Sequence, residues 1–194
     1  MTFSSREIAI MGMLIALNVA VGGFIHLIKL PIFLDAIGTI IAALLLGVLP
    51  GIAVGVMSFV VSAIIINPVY IWFSGTQAII AIAIYVMAAK FSAFRTLTRV
   101  VITGIFLGVI TGIVSAPVIV YVFGGVAGSG RDLITATLIS TGEQIGKAVL
   151  LSGAASEPVD KLIQVLAAFF VLRALPKRAL LPFRNAVLEK NGFF

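Results

Sequence analysis

Residues 36–89 read AIGTIIAALLLGVLPGIAVGVMSFVVSAIIINPVYIWFSGTQAIIAIAIYVMAA, and no Asp, Glu, Lys or Arg interrupts them. A helix needs about 20 predominantly apolar residues to cross a bilayer, so this stretch holds three short spans. Two more charge-free stretches flank it, from Ile8 to Ile28 and from Val100 to Gly130. Across the chain of 194 residues, 61% are hydrophobic and 10% charged, where a soluble domain is roughly half apolar and a quarter charged. Lipid is therefore the solvent for most of this surface. The expected fold is all-α, an integral membrane bundle of six helices forming a single transmembrane domain over residues 1–194.

Pro and Gly punctuate the apolar runs and set the expected boundaries. Span 1 runs from Ile8 to Ile28 and ends at Lys29-Leu30-Pro31. Span 2 runs from Phe33 to Leu49, with Pro50-Gly51 as a tight turn into span 3, Gly51 to Ile66. Asn67-Pro68 stops span 3; span 4 covers Tyr70 to Ala89 and span 5 Val100 to Phe123. A Gly-rich loop, Gly124 to Gly130, leads into a helical outer segment, Asp132 to Leu151. Span 6 runs from Pro158 to Leu175 and a basic tail follows. The first apolar segment is too long for a signal-peptide core and reads as a retained helix.

Six spans put both termini on one side. That side collects Arg6, Lys90, Arg95, Arg99, Arg173, Lys177, Arg178, Arg184 and Lys190; Lys29, Arg131, Lys147 and Lys161 remain on the other, beside five of the seven acids. Basic residues mark the cytoplasmic side, so both termini are expected in the cytoplasm of a bacterial-type plasma membrane. The same placement at helix ends argues against reading the net charge of +6 as a nucleic-acid surface.

The inventory for catalysis is nearly empty. One histidine, His26, and no cysteine exclude His/Cys metal clusters of the usual spacing and leave no nucleophile–base arrangement. His26 reads as an interfacial or packed residue. The run Gly142-Glu143-Gln144-Ile145-Gly146-Lys147-Ala148 resembles a phosphate loop only briefly: the first Gly of the pattern falls at Thr141 and the magnesium-binding hydroxyl at Ala148. Neither an enzyme nor a bound cofactor is expected.

Small residues recur every fourth position: Gly12, Ala16 and Ala20 in span 1, Gly51 and Gly55 in span 3, Gly104, Gly108 and Gly112 in span 5. Such stripes let backbones approach closely in lipid. In spans 3 and 5 they read as packing within the bundle; in span 1 they would form a lipid-facing stripe if a membrane partner docks there. Polar groups gather at the outer ends: Asp35; then Asn67, Tyr70, Trp72, Ser74 and Gln77; then Arg131, Asp132, Thr135, Thr141, Glu143, Gln144 and Lys147. Asp132, Thr135, Ile139, Glu143 and Lys147 fall close to one helical face. Glu143 and Lys147 are spaced for an ion pair, and Asp132 is placed to cap a helix. An acid beside an apolar span is costly unless paired or useful, so Asp35 favours a polar pocket open to the outside. Asp35, Asn67, Tyr70, Trp72, Gln77 and Glu143 are the candidate ligand-binding residues. Trp72 and Tyr70 equally suit an aromatic belt.

With these elements in place, the chain resembles the substrate-binding S component of an energy-coupling factor vitamin transporter. The resemblance runs from Ser4 to about Arg178. It rests on the size and six helices, on the stripe Gly12, Ala16, Ala20, on Phe33-Leu34-Asp35-Ala36-Ile37-Gly38-Thr39 with Leu45-Leu46-Gly47-Val48-Leu49-Pro50-Gly51, and on Pro158-Val159-Asp160-Lys161 through Ala174-Leu175-Pro176-Lys177-Arg178. It implies capture of a water-soluble vitamin from outside. The partners it implies are a membrane coupling subunit, docked on Gly12, Ala16 and Ala20, and two ATPases. The connection around Lys29 to Pro31 is short against the family's pattern, which moves the capping role to Gly124–Glu157. A membrane sensor and a self-sufficient secondary carrier are the competing readings. A carrier commonly shows paired repeats and midplane acids, and a sensor a signalling domain. The mix of aromatics with both charge signs suits a heteroaromatic vitamin.

Overall fold

The computed structural model describes residues 3–183 and 185–194; Arg184, counted above with the basic tail, lies outside the described residues. The described residues form α-helices α1 (Ser5–Leu27), α2 (Ile37–Leu45), α3 (Val48–Ile65), α4 (Ser74–Phe91), α5 (Leu97–Tyr121), α6 (Asp132–Ser140), α7 (Ile145–Ala174), α8 (Lys177–Leu180) and α9 (Ala186–Lys190). Pro68–Phe73 and Leu181–Phe183 are 3-10 turns. Four helical stretches, Ser5–Leu27, Val48–Ile65, Pro68–Phe91 and Leu97–Tyr121, are long and apolar enough to cross a membrane.

α1 opens on a reciprocal capping box between Ser4 and Glu7. α2 starts four residues later than expected and has only nine, about 14 Å at 1.5 Å per residue. The cause lies in α7. Asp160 Oδ1 accepts from the backbone N–H groups of Phe33 and Leu34 at 2.8 and 2.9 Å, and Gln164 Oε1 accepts from Ala36 N–H at 2.8 Å. Side-chain acceptors thus take amides that a helix would otherwise use, with Leu34 at φ +49°.

The α2–α3 turn is at Gly47, φ +109°, rather than at Pro50-Gly51. Pro50 falls in the first turn of α3, where a missing N–H leaves no intrahelical bond unmade. Gly51 is needed for contact instead: a Cβ there would stand 2.8 Å from Ala43 Cα. Asn67 caps the 3-10 turn through Val69 N–H, so α4 begins at Ser74 and not Tyr70.

The largest departure concerns the outer segment and span 6. The expected helix 132–151 breaks at Thr141–Gln144, and α7 runs unbroken for 30 residues through Pro158. Asp132 is the first residue of α6. Its carboxylate bonds the N–H groups of Gly128 and Ser129, tightening the preceding loop. α7 stays helical past Pro158 because α5 packs against it along the glycine stripe. A Cβ at Gly104 would lie 2.6 Å from Leu162 Cα and one at Gly108 2.6 Å from Glu157 O, while Gly112 faces Gly153. The stripe of α5 is thus filled by α7. Gly12, Ala16 and Ala20 are exposed. They line an open groove with Ile15, Val19, Phe24, Val61 and Ile65.

Candidate functional site

α2, the shortest of the buried helices, is wrapped by its neighbours and carries the first polar tier. Asn18 Nδ2 donates to Thr39 Oγ1 and Ser58 Oγ, both at 3.0 Å, and Asn18 Oδ1 accepts from Gly38 N–H at 2.7 Å. Thr39 Oγ1 donates to Gln77 Oε1 at 2.8 Å, and Gln77 Nε2 donates to the carbonyl and, at 3.5 Å, the carboxylate of Asp35. One chain of neutral bonds therefore ties α1, α2, α3 and α4 and ends on an acid. Gly22 allows the close approach of that acid to α1, since a Cβ there would be 2.9 Å from Asp35 Cβ.

A second tier is ionic. Arg131, at 1% exposure the largest fully buried side chain, reaches from the loop before α6 into the α5–α7 seam. Its guanidinium donates to Val149 O at 2.6 Å and Ser152 Oγ at 3.1 Å, and it pairs with Glu157 Oε1 at 3.3 Å. Glu157 Oε2 accepts from Thr111 Oγ1 at 2.9 Å and lies 3.7 Å from Lys161 Nζ. Lys161 donates to Asp160 and stands 3.9 Å from Asp35. Burial draws the Arg131 guanidinium below its ordinary value, while the carboxylates of Glu157 and Asp132 oppose that.

The two tiers meet at a cavity. Its volume is about 90 Å³, room for several waters at roughly 10–15 Å³ each. Phe33, Phe59, Tyr70 and Phe73 form aromatic walls, with His26 5.8 Å and Phe59 5.3 Å from the Tyr70 ring. Asp35, Gln77, Glu157 and Lys161 form the polar floor, and Ala127, Ser129 and Arg131 the roof. The roof is latched to the α1–α2 connection: Lys29 Nζ donates to Gly128 O at 3.0 Å, and Gly130 lies against the Leu30 carbonyl. The short connection thus shares the covering position with the segment after α5.

Of the candidate binding residues, Asp35, Asn67, Tyr70 and Gln77 come together on this lining. Trp72 is 57% exposed and Glu143 pairs with Lys147 at 2.8 Å on an exposed turn; neither reaches the cavity. The lining adds His26, Phe33, Phe59, Arg131, Glu157 and Lys161. Glu157 and Lys161 carry a legible signal, opposite charges four apart in an apolar helix. Arg131 does not, since its acid is 26 residues away in sequence.

An all-helical membrane protein with a small, partly charged cavity under two latched loops belongs to the class of polytopic ligand-binding subunits. The family model for the ECF transporter substrate-specific component matches residues 6–181, and the chain belongs to that family. Searches of curated proteins and of solved structures found no significant match.

Proposed function

We propose that this chain captures a water-soluble vitamin or related micronutrient in the cavity beneath the Gly128 loop, for ATP-driven uptake. The observation that carries the reading is the pairing of two features on one bundle. One is a mostly apolar cavity with a few converging polar groups, the usual make-up of a small-molecule site. The other is an exposed small-residue groove on α1 that nothing among the described residues fills. In this reading Asp35, Asn67, Tyr70 and Gln77 contact the ligand, and Gly12, Ala16 and Ala20 receive a coupling subunit that brings two ATPases. α2 and α7 complete six crossings, with both termini in the cytoplasm and the cavity facing out. α7 crosses despite its charges because Glu157, Asp160 and Lys161 are paired inside the bundle rather than offered to lipid.

The test is isolation of the full chain from membranes in mild detergent, with and without Ala16→Trp. The parent is expected to co-isolate with an ATPase-bearing module and to retain its ligand. The variant should lose the module and keep the ligand, because a bulky side chain holds the backbones apart. Uptake by the chain alone in sealed vesicles would overturn the reading in favour of a self-sufficient carrier.

A further inference from the structure

We infer that the ligand of this cavity carries a positive charge and seats it on Asp35. This rests on the capture reading above and narrows it to organic cations, meaning a protonated amine or a quaternised heteroaromatic nitrogen.

The argument starts from a count. One contact chain joins Arg131, Glu157, Lys161, Asp160 and Asp35. By formal charge, three carboxylates face two cations. Lys29 and Asp132, which both bond the Gly128 loop, are of opposite sign and cancel. His26 shares the lining but makes no ion pair with Asp35 among the described residues. In a low-dielectric interior an uncompensated charge is costly, so the arrangement takes up one more cation or one proton.

The next step is to ask which group has spare capacity. Both cations are committed. Arg131 gives its donors to Val149 O, Ser152, Ser115 and Glu157; Lys161 gives its ammonium to Asp160 and Glu157. An anionic ligand would have to displace protein acceptors from either. The acids differ. Asp160 is saturated by Lys161, Gln164 and the amides of Phe33 and Leu34. Glu157 has Arg131, Lys161 and Thr111. Among the described residues Asp35 has only long side-chain donors, Gln77 at 3.5 Å and Lys161 at 3.9 Å, though it is 92% buried (8% exposed) and lines the cavity. The walls beside it are aromatic: Phe59 and Tyr70 line the cavity with Phe33, whose ring already has Lys161 Nζ 5.8 Å from its centroid, and such rings attract a desolvated cation.

The experiment uses the detergent-solubilised full chain and reads thermal stabilisation and affinity against three sets of probes. The cations are thiamine, choline and 1-methylnicotinamide; the neutral compounds are nicotinamide and pyridoxine; the anions are pantothenate and biotin. Stabilisation is expected from a cation. Asp35→Asn should weaken that binding by about tenfold or more, the loss expected for a charge-assisted contact, with Asp35→Glu recovering part of it. Asp35→Glu also keeps the test alive if the Asn variant unfolds. An anionic or neutral ligand as the sole stabilising class, or a cation bound equally by Asp35→Asn, overturns the inference and leaves the capture reading standing. Stabilisation by no compound of any class overturns both.

Discussion

The two ends of the bundle bury polar groups to different purposes. At the end away from the cavity, the C-terminal segment folds back over α2 and α4. Asn185 Nδ2 donates to Leu44 O and Leu45 O, and Asn191 Nδ2 to Ala88 O at 3.0 Å while its Oδ1 accepts from Phe94 N–H at 2.7 Å. Lys190 caps Ala89 O and Lys90 O, and Arg173 holds Gly192 O with its guanidinium 5.3 and 5.0 Å from the Phe169 and Phe193 rings. These partners are backbone groups, mostly the last carbonyls of α2 and α4, which no intrahelical N–H can reach. At the cavity end, charges meet charges across helices, beyond what any backbone group there requires. The contrast separates polar groups that complete backbone hydrogen bonds from those that pair mainly with one another.

That division runs through the cavity end as well. Asp160 and Gln164 do at α7 what Asn185 and Asn191 do at the tail: they accept backbone amides and hold the 33–36 segment out of helix. Asp160→Ala is therefore expected to have the largest effect. It removes the acceptor of two amides and leaves Lys161 without its nearest acid. Breaking a buried pair from one side costs about 3–5 kcal/mol, which thermal unfolding in detergent will register. A variant as stable as the parent that loses only ligand binding would move Asp160 to the other side of the division, beside Asp35.

How much of this was readable from the sequence depends on the same distinction. The charge-free stretches set the starts of α1, α3, α4 and α5 to within four residues and their ends to within two, because hydropathy and Pro/Gly punctuation are local. The α5 stripe was legible as packing for the same reason, though not its partner. α7 was not. Glu157-Pro158-Val159-Asp160-Lys161 looks like a boundary when each charge is taken alone, and becomes helix interior once Arg131, Thr111 and the 33–36 amides supply partners from elsewhere in the chain. Asp35, Asn67, Tyr70 and Gln77 stood out because they interrupt apolar runs, and all four reach the lining. Trp72 and Glu143 stood out equally, yet Trp72 lies on the exposed side of the 3-10 turn whose Tyr70 and Phe73 line the cavity. Glu143 sits in the break before α7.

A middle-sized effect tests whether the ends are independent. Asn191→Ala leaves Phe94 N–H and Ala88 O without their buried partner, at about 1–3 kcal/mol for unsatisfied groups. Unfolding temperature should fall while ligand affinity stays at the parent's value. A concurrent affinity loss of about tenfold, equivalent to about 1.4 kcal/mol, would mean that the tail sets the spacing of α2 and α4 at the cavity, and the comparison would have to give way to one coupled unit.

The smallest effect is expected at Glu143, and it bears on the roof. Its partner Lys147 has a side chain 62% exposed and its own is 32% exposed, so water screens the pair. Exposed pairs of this kind contribute about 0–1 kcal/mol. Glu143→Gln should therefore leave unfolding almost unchanged, and ligand affinity with it, since the turn at Thr141–Gln144 stands clear of the lining. Trp72→Ala, on an exposed ring, should likewise spare affinity. The informative surprise is a Glu143→Gln variant that folds normally and binds its ligand about tenfold more weakly. Gly142, at φ +95°, and the left-handed Gly124, Gly125 and Gly128 flank a roof segment that Lys29 ties to the α1–α2 connection and Arg131 anchors to α5 and α7. If the roof closes further over a bound ligand, α6 and its following turn move with it, and Glu143 is the acid that would travel toward the cavity. An affinity loss at Glu143 without a stability loss would establish that motion.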